Sequence, residues 1–410
     1  MRCLLKPNRM ARHRFLLHCL LLIVPGLGFA QSEPYLAGRA SMIQGSLDSA
    51  LHFLEEALQQ NPGDADLYFH LGEVYFGLQN YPAARDAFYE CEKRRKGKGS
   101  LYLAKCEVKL NHEQQALKYL RIHLSSRYKQ SESDILLDED LSRLQGLPAW
   151  QQLWNEKRWY SGPDQEYQQA IYLKKQGDFL EAINLLNKLE KQGYKRSSIQ
   201  AEKALIYQEL GNLKAANSSL KSAVKSDMRN LDAWQHLARL QTAAGDAEDA
   251  LPGLDRVIRQ DPARFDAYIQ RAEARSQTGD LRGALEDMDL YLTYFPSDDS
   301  AIYLKGMIQF THGKYLDAIQ SFNLSLEMNS GKPEYYFGRG RTYAATGTTR
   351  YAKRDMSMAL DLDPLNGEIW FEKGKLAEQL GERQDACFCF RKAFQYGIYE
   401  AGELLSTKCN

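Results

Sequence analysis

"NPGDADLYFHLGEVYFGLQNYPAARDAFYEC", residues 61–91, reads as two short helices hinged at Leu78–Gln79–Asn80, with no obvious catalytic group. Standing alone it is a local helical hairpin. Repeated, it is one unit of an array, and function then lies in a surface rather than a pocket.

Repetition decides the matter. Alanine stands at 182, 216, 250, 284, 318, 352 and 386, and glycine at 177, 211, 245, 279, 313, 347 and 381, each series advancing by 34 residues without a slip. A third series, Ala170, Ala204, Ala238, Ala272, Gly306, Gly340 and Gly374, is small throughout. Self-similarity at a fixed period is the signature of stacked supersecondary units. Small residues let two antiparallel helices cross closely, and the glycine ends the first helix where a left-handed conformation is cheap without a β-carbon. Trp234, Tyr268, Ile302, Tyr336 and Trp370 share one gap-filling position, and Pro262, Pro296 and Pro364 close second helices.

Small residues twelve apart, the hinge glycine, the early aromatic and the closing proline resemble the tetratricopeptide (TPR) repeat. Units begin near 163, 197, 231, 265, 299, 333 and 367. The opening stretch joins them through Tyr68, Leu71, Gly72, Tyr75, Ala84 and Phe88, in a unit beginning near 65. Gly45, Ala50, Leu54, Ala57 and Pro62 define one near 31, and Leu103, Ala104, Ala116 and Leu120 a weaker one near 97. The resemblance implies an all-α fold, a right-handed TPR solenoid of about ten helix-turn-helix units interrupted by a helical insert. The expected organisation is a leader at 1–30, an N-terminal block at 31–130, a tryptophan-rich insert at 131–162, seven units at 163–400 and a capping tail at 401–410.

The first 30 residues differ from the rest. Arg2, Lys6, Arg9, Arg12 and Arg14 precede the apolar run "FLLHCLLLIVPGLGFA", with Gly28 and Ala30 beside the expected cut. That is the layout of a secretory signal peptide, and at 16 residues the run is short for a membrane-spanning helix. Met10 is an alternative start. Removing the leader takes five basic and no acidic residues from a chain with 53 of each, leaving a net charge of −5. The only basic run, "KRRKGKGS" at 93–100, is a loop rather than the clustered positive surface that nucleic acid requires. Membrane contact is expected only through the leader or a partner. Cys91, Cys106, Cys387, Cys389 and Cys409 follow the leader, an odd number. Cys387 and Cys389, two apart on a helix, read first as packing residues.

No catalytic constellation survives inspection. "NHEQQ" at 111–115 lacks the second histidine of a zinc-protease helix, and "GRGRTY" at 338–343 lacks the third glycine of a dinucleotide loop. His52, His70, His112, His123, His236 and His312 are scattered singly among units. The expectation is a non-enzyme with no cofactor and no metal.

Two surfaces can carry function. In TPR arrays the first helix of each unit lines the concave face, which implies a partner-binding row of Tyr303, Met307 and Phe310, then Phe337 and Arg341, then Phe371 and Lys375. Aromatics and arginine are the usual anchors of binding hot spots, although an aromatic here can equally pack. The second candidate is the insert's Trp150, Trp154 and Trp159, either an exposed patch or a cover over the first block. The carboxylate-clamp residues of chaperone-binding members are absent. The resulting expectation is an exported, periplasmic or secreted scaffold for protein or peptide in a bacterial envelope or secretion assembly. The alternatives are a lumenal co-chaperone-like binder of unfolded segments and a docking subunit of an enzyme complex.

Overall fold

The hinge residues set the architecture. The computed structural model describes residues 32–155 and 159–409; the expected leader falls outside them. Each hinge glycine takes the left-handed conformation, for example Gly211 (φ 71°) and Gly279 (φ 87°), and so do Gln79 (φ 59°) and Asn111 (φ 65°), which stand in its place in two early units. In three units the residue after the hinge also caps the second helix: Asn80, Asn212 and Asp280 accept from the backbone N–H of Ala83, Ala215 and Gly283 at 3.3, 3.1 and 2.9 Å. Left-handed stop followed by a side-chain cap is a complete local instruction for a helical hairpin.

Ten hairpins follow, joined as expected into one all-α array. They are α1 (Glu33–Ile43) with α2 (Leu47–Gln60), α3 (Ala65–Gly77) with α4 (Tyr81–Arg94), and α5 (Ser100–Lys109) with α6 (Glu113–Leu124). Short helices α7 (Glu132–Leu136) and α8 (Pro148–Trp154) flank a 3-10 turn at Glu139–Leu144. The series resumes with α9 (Gly162–Gln176) and α10 (Phe179–Lys191), α11 (Arg196–Glu209) and α12 (Leu213–Ser226), and α13 (Leu231–Ala243) and α14 (Ala247–Gln260). It continues with α15 (Phe265–Gln277) and α16 (Leu281–Tyr294), α17 (Asp299–Thr311) and α18 (Tyr315–Met328), and α19 (Pro333–Ala345) and α20 (Thr349–Leu362). The last pair is α21 (Gly367–Gln379) and α22 (Arg383–Gln395), and α23 (Glu400–Lys408) ends the chain.

Inside each hairpin the crossing is matched in size. The small residue of the first helix receives a large one sixteen positions later. Glycine is the receiver where the knob is Phe: Gly72 with Phe88, Gly306 with Phe322 and Gly374 with Phe390, where an added Cβ would stand 2.6, 2.8 and 2.6 Å from the ring. Alanine receives smaller knobs in Ala204 with Leu220, Ala238 with Leu254 and Ala272 with Met288, all essentially inaccessible, while Gly38 with Leu54 and Gly340 with Met356 keep glycine. Interiors packed to crystal density leave little slack for a β-carbon at a glycine–phenylalanine crossing.

A charged device couples neighbouring units. Arg271 forks onto buried Asp287 (2.6 and 2.9 Å) and reaches back to Asp255 of the preceding unit (2.7 Å). Two repeats later Arg339 forks onto buried Asp355 (2.7 and 2.8 Å) and reaches back to Asn323 (2.7 Å). Bidentate pairs of this kind fix geometry as well as charge, and each links a hairpin to its neighbour, the interaction on which repeat arrays depend.

Two features bring distant chain segments together. The first is the cap. Cys387 of α22 is disulfide-bonded to Cys409, 22 residues on, with Cα atoms 5.6 Å apart. This corrects the packing role expected for Cys387; Cys389, buried and free, keeps it. The bond holds α23 over the last hairpin, where Ala401 joins Phe371, Phe390 and Ala393. The second is closure of the array on itself. Tyr35 and Ala40 of the first hairpin share a core with Ala263 and Phe265, and the Gln44 side-chain amide donates to the Tyr294 carbonyl at 2.6 Å. Phe265, Tyr291, Tyr294 and Phe295 form the receiving aromatic cluster, with centroids 4.8–5.2 Å apart.

Candidate functional site

The first helix of each hairpin positions the expected anchors at 34-residue intervals, but their environments differ. Tyr303 is half-buried, stacked on Tyr335 with centroids 4.9 Å apart and tilted against Phe322 at 5.5 Å. Phe337 and Phe310 are half-buried on adjacent units, and the Arg341 guanidinium lies over both rings, 5.2 Å from Phe310 and 5.6 Å from Phe337. These distances are within cation–π range. The structure thus unites Phe310, Phe337 and Arg341. Met307 lies one unit below Arg341 at the equivalent position, lining a cavity.

Phe371 is different: only 6% exposed, it packs against Phe390 and belongs to the core under α23. The capping helix α23 packs over this hairpin and buries the ring. Lys375 lies over it at 4.9 Å and is paired with Glu372. The aromatic row therefore stops at Phe337.

The insert resolves towards packing. Trp150 and Trp159 are each 4% exposed in one core with Leu101, Leu120 and Leu124 of α5 and α6, and half-buried Trp154 packs against it. The Trp159 indole N–H donates to the Leu153 carbonyl at 2.7 Å. Trp150 and Trp159 thus lie inside rather than on an exposed patch, because the end of the first block needs large apolar cover. The scattered histidines stay apart. His123 is buried, accepts from the Gln130 N–H at 3.2 Å, and burial lowers its pKa to about 4. Among the described residues no group of three or more His, Cys, Asp or Glu could hold a metal ion, and no helix is long and apolar enough to cross a membrane.

Sequence reasoning missed a second inner-face feature. Between α13, α15 and α17 lies a cavity of about 390 Å³, lined by Arg239, Gln270, Glu273 and Met307 among others. Arg239, Glu273, Met307, Arg341 and Lys375 occupy the same place in successive units, so reading that position two units further back would have found it. It also missed the closure, whose signal is a break in pattern. Five second helices close on Asn or Asp (Asn61, Asp227, Asp261, Asn329 and Asp363), whereas the unit that receives α1 closes on Phe295; Arg95, Ser125, Gln192 and Tyr396 close the other four.

Profiles described as tetratricopeptide repeat match residues 41–88 and 207–276, 269–333, and 367–396, together half of the chain. No curated protein matches. Among solved structures, a tetratricopeptide repeat protein from Parabacteroides merdae is similar over 60% of this chain and 99% of its own, with 20% identity and a TM-score of 0.53. The C-terminal part of a TPR repeat-containing protein from Cytophaga hutchinsonii is 19% identical over 58% of this chain and 98% of its own, with a TM-score of 0.44. Yeast Tom70 is 13% identical over 91% and 94%, with a TM-score of 0.41. At these identities the first likeness speaks to fold alone, and the looser superpositions carry no argument. With the 34-residue period, the left-handed hinges and the size-matched crossings, the matched profiles make this chain a member of the tetratricopeptide repeat family.

Proposed function

We propose that the chain is an exported scaffold that holds protein or peptide partners along the inner face of its superhelix, within a bacterial envelope or secretion assembly, and does no chemistry itself. The observation that carries the reading is the Phe310–Phe337–Arg341 group. It is partly desolvated, mounted on rigid helices and made of the residue types that dominate binding hot spots. Export draws support from the basic-then-apolar leader and from the Cys387–Cys409 bond, since structural disulfides persist in oxidising compartments.

A photo-crosslinking residue placed at Phe337, in the chain expressed in its own host, should trap a partner that the same residue at exposed Leu324 on α18 does not. Phe337→Ala combined with Arg341→Ala should weaken partner capture by about 2 kcal/mol or more, with the unfolding midpoint intact. A fallen midpoint would make the group structural, and unchanged capture would overturn the reading.

A further inference from the structure

We infer that the inner face between α13, α15 and α17 is a receptor for a lysine or arginine side chain presented by an extended segment of a partner protein. The inference rests on the scaffold reading and narrows it to one chemistry.

Two unpartnered acceptors carry the argument. Glu273 is half-buried in the cavity, with no ion pair or hydrogen bond among the described residues. Its neighbours two positions away, Arg271 and Arg275, are turned to the other side of α15, where buried Asp287 takes both guanidinium groups. Residues two apart on a helix point to different sides, so the Glu273 carboxylate is left without either of these arginines. One turn earlier on the same face, the Gln270 Oε1 is buried with no donor. Burial alone, with no compensating cation, raises the Glu273 pKa. Unmet acceptors of this kind give up part of their hydration without return. Groups held in a destabilising state concentrate where function requires them.

The walls match the rest of the ligand. Ala243, Leu304, Met307 and Ile308 line the same cavity as these acceptors. A lysine or arginine stem is aliphatic and its head is a pure donor, so a stem against the apolar lining and a head at the acceptors satisfies both. Met307 adds an adaptable side chain at the contact. Arg239, exposed at the rim with no ion pair among the described residues, would meet a carbonyl or carboxylate of the same segment and so set its direction.

The test uses the chain from residue 31 onwards and a synthetic peptide of alanine, serine and leucine carrying one central lysine. Its twin carries norleucine at that place. The lysine peptide should bind about tenfold tighter or more at low ionic strength, and Glu273→Gln should bring the two to parity without lowering the unfolding midpoint. Equal binding by the unaltered chain, or a preference that survives Glu273→Gln, overturns the inference. So does a Glu273-dependent rise in midpoint with millimolar lysine amide but no peptide preference, which would mark a site for small amines. The Phe337 crosslink separates the two claims. A retained crosslink without lysine preference sinks this inference and leaves the scaffold standing, whereas loss of both sinks both.

Discussion

The size matching at the hairpin crossings can be tested by moving one pair from the glycine–phenylalanine solution to the alanine–leucine one. Gly306→Ala places a Cβ 2.8, 3.0 and 3.2 Å from atoms of the Phe322 ring. The ring has nowhere to retreat: it is fully buried, and Gly338 of the next unit holds its other side, with a Cβ position 3.0 Å away. Overpacking of this kind costs about 1–3 kcal/mol, while alanine gains about 0.8–1 kcal/mol of helix propensity over glycine. The single variant therefore loses only about 0–2 kcal/mol, too little to decide the matter. Phe322→Leu alone leaves a void beside Gly306 and costs about 1–3 kcal/mol, between the one-methylene and whole-ring cases. The double variant restores the Ala204–Leu220 and Ala238–Leu254 combination, so the pair should be coupled favourably by about 1–3 kcal/mol. Urea titration read by hydrogen exchange of peptides from α17 and α18 measures all four corners locally, which suits an array whose units can open separately. Additivity within about 0.5 kcal/mol would refute the size-matching argument.

Further outcomes follow from other residues. Gln79→Gly should stabilise the second hairpin by about 0.5–1 kcal/mol, because a left-handed residue with a β-carbon costs about 1–2 kcal/mol and glycine's extra unfolded entropy returns only part of it; an unchanged or lower midpoint refutes this. Cys409→Ser should release α23, with the loss of about 2–4 kcal/mol confined to the last hairpin, seen as faster exchange in α22 and α23 with α1–α6 unaltered. Glu273 binds its proton more tightly folded than unfolded, so its contribution is full below the ordinary carboxyl value of 4.5 and is lost as pH rises through the raised folded value; Glu273→Gln should flatten that decline and leave the chain at least as stable at neutral pH. Phe265→Ala should loosen the contact with α1, and small-angle X-ray scattering should report a larger radius of gyration; an unchanged radius would show that closure does not depend on the aromatic cluster.

The sequence by itself determined the hairpins, their number and their order. Hinge, cap and crossing partners lie within one 34-residue unit, so Gly279, Asp280, Ala272 and Met288 carry their instructions locally and the period makes them visible. The position of Phe310, Phe337 and Arg341 on first helices was legible for the same reason. Only the tertiary structure decided what stands outside each of those residues. Phe371 and Phe337 share a repeat position, yet Phe371 is buried because a capping helix, pinned by the Cys387–Cys409 bond, covers it. Glu273 lies among arginines in sequence and has none beside its carboxylate, because helical rotation turns Arg271 and Arg275 towards Asp287. The seating of α1 on Phe265 and Phe295 arises from small rotations accumulated over successive hairpins. No single unit encodes that sum.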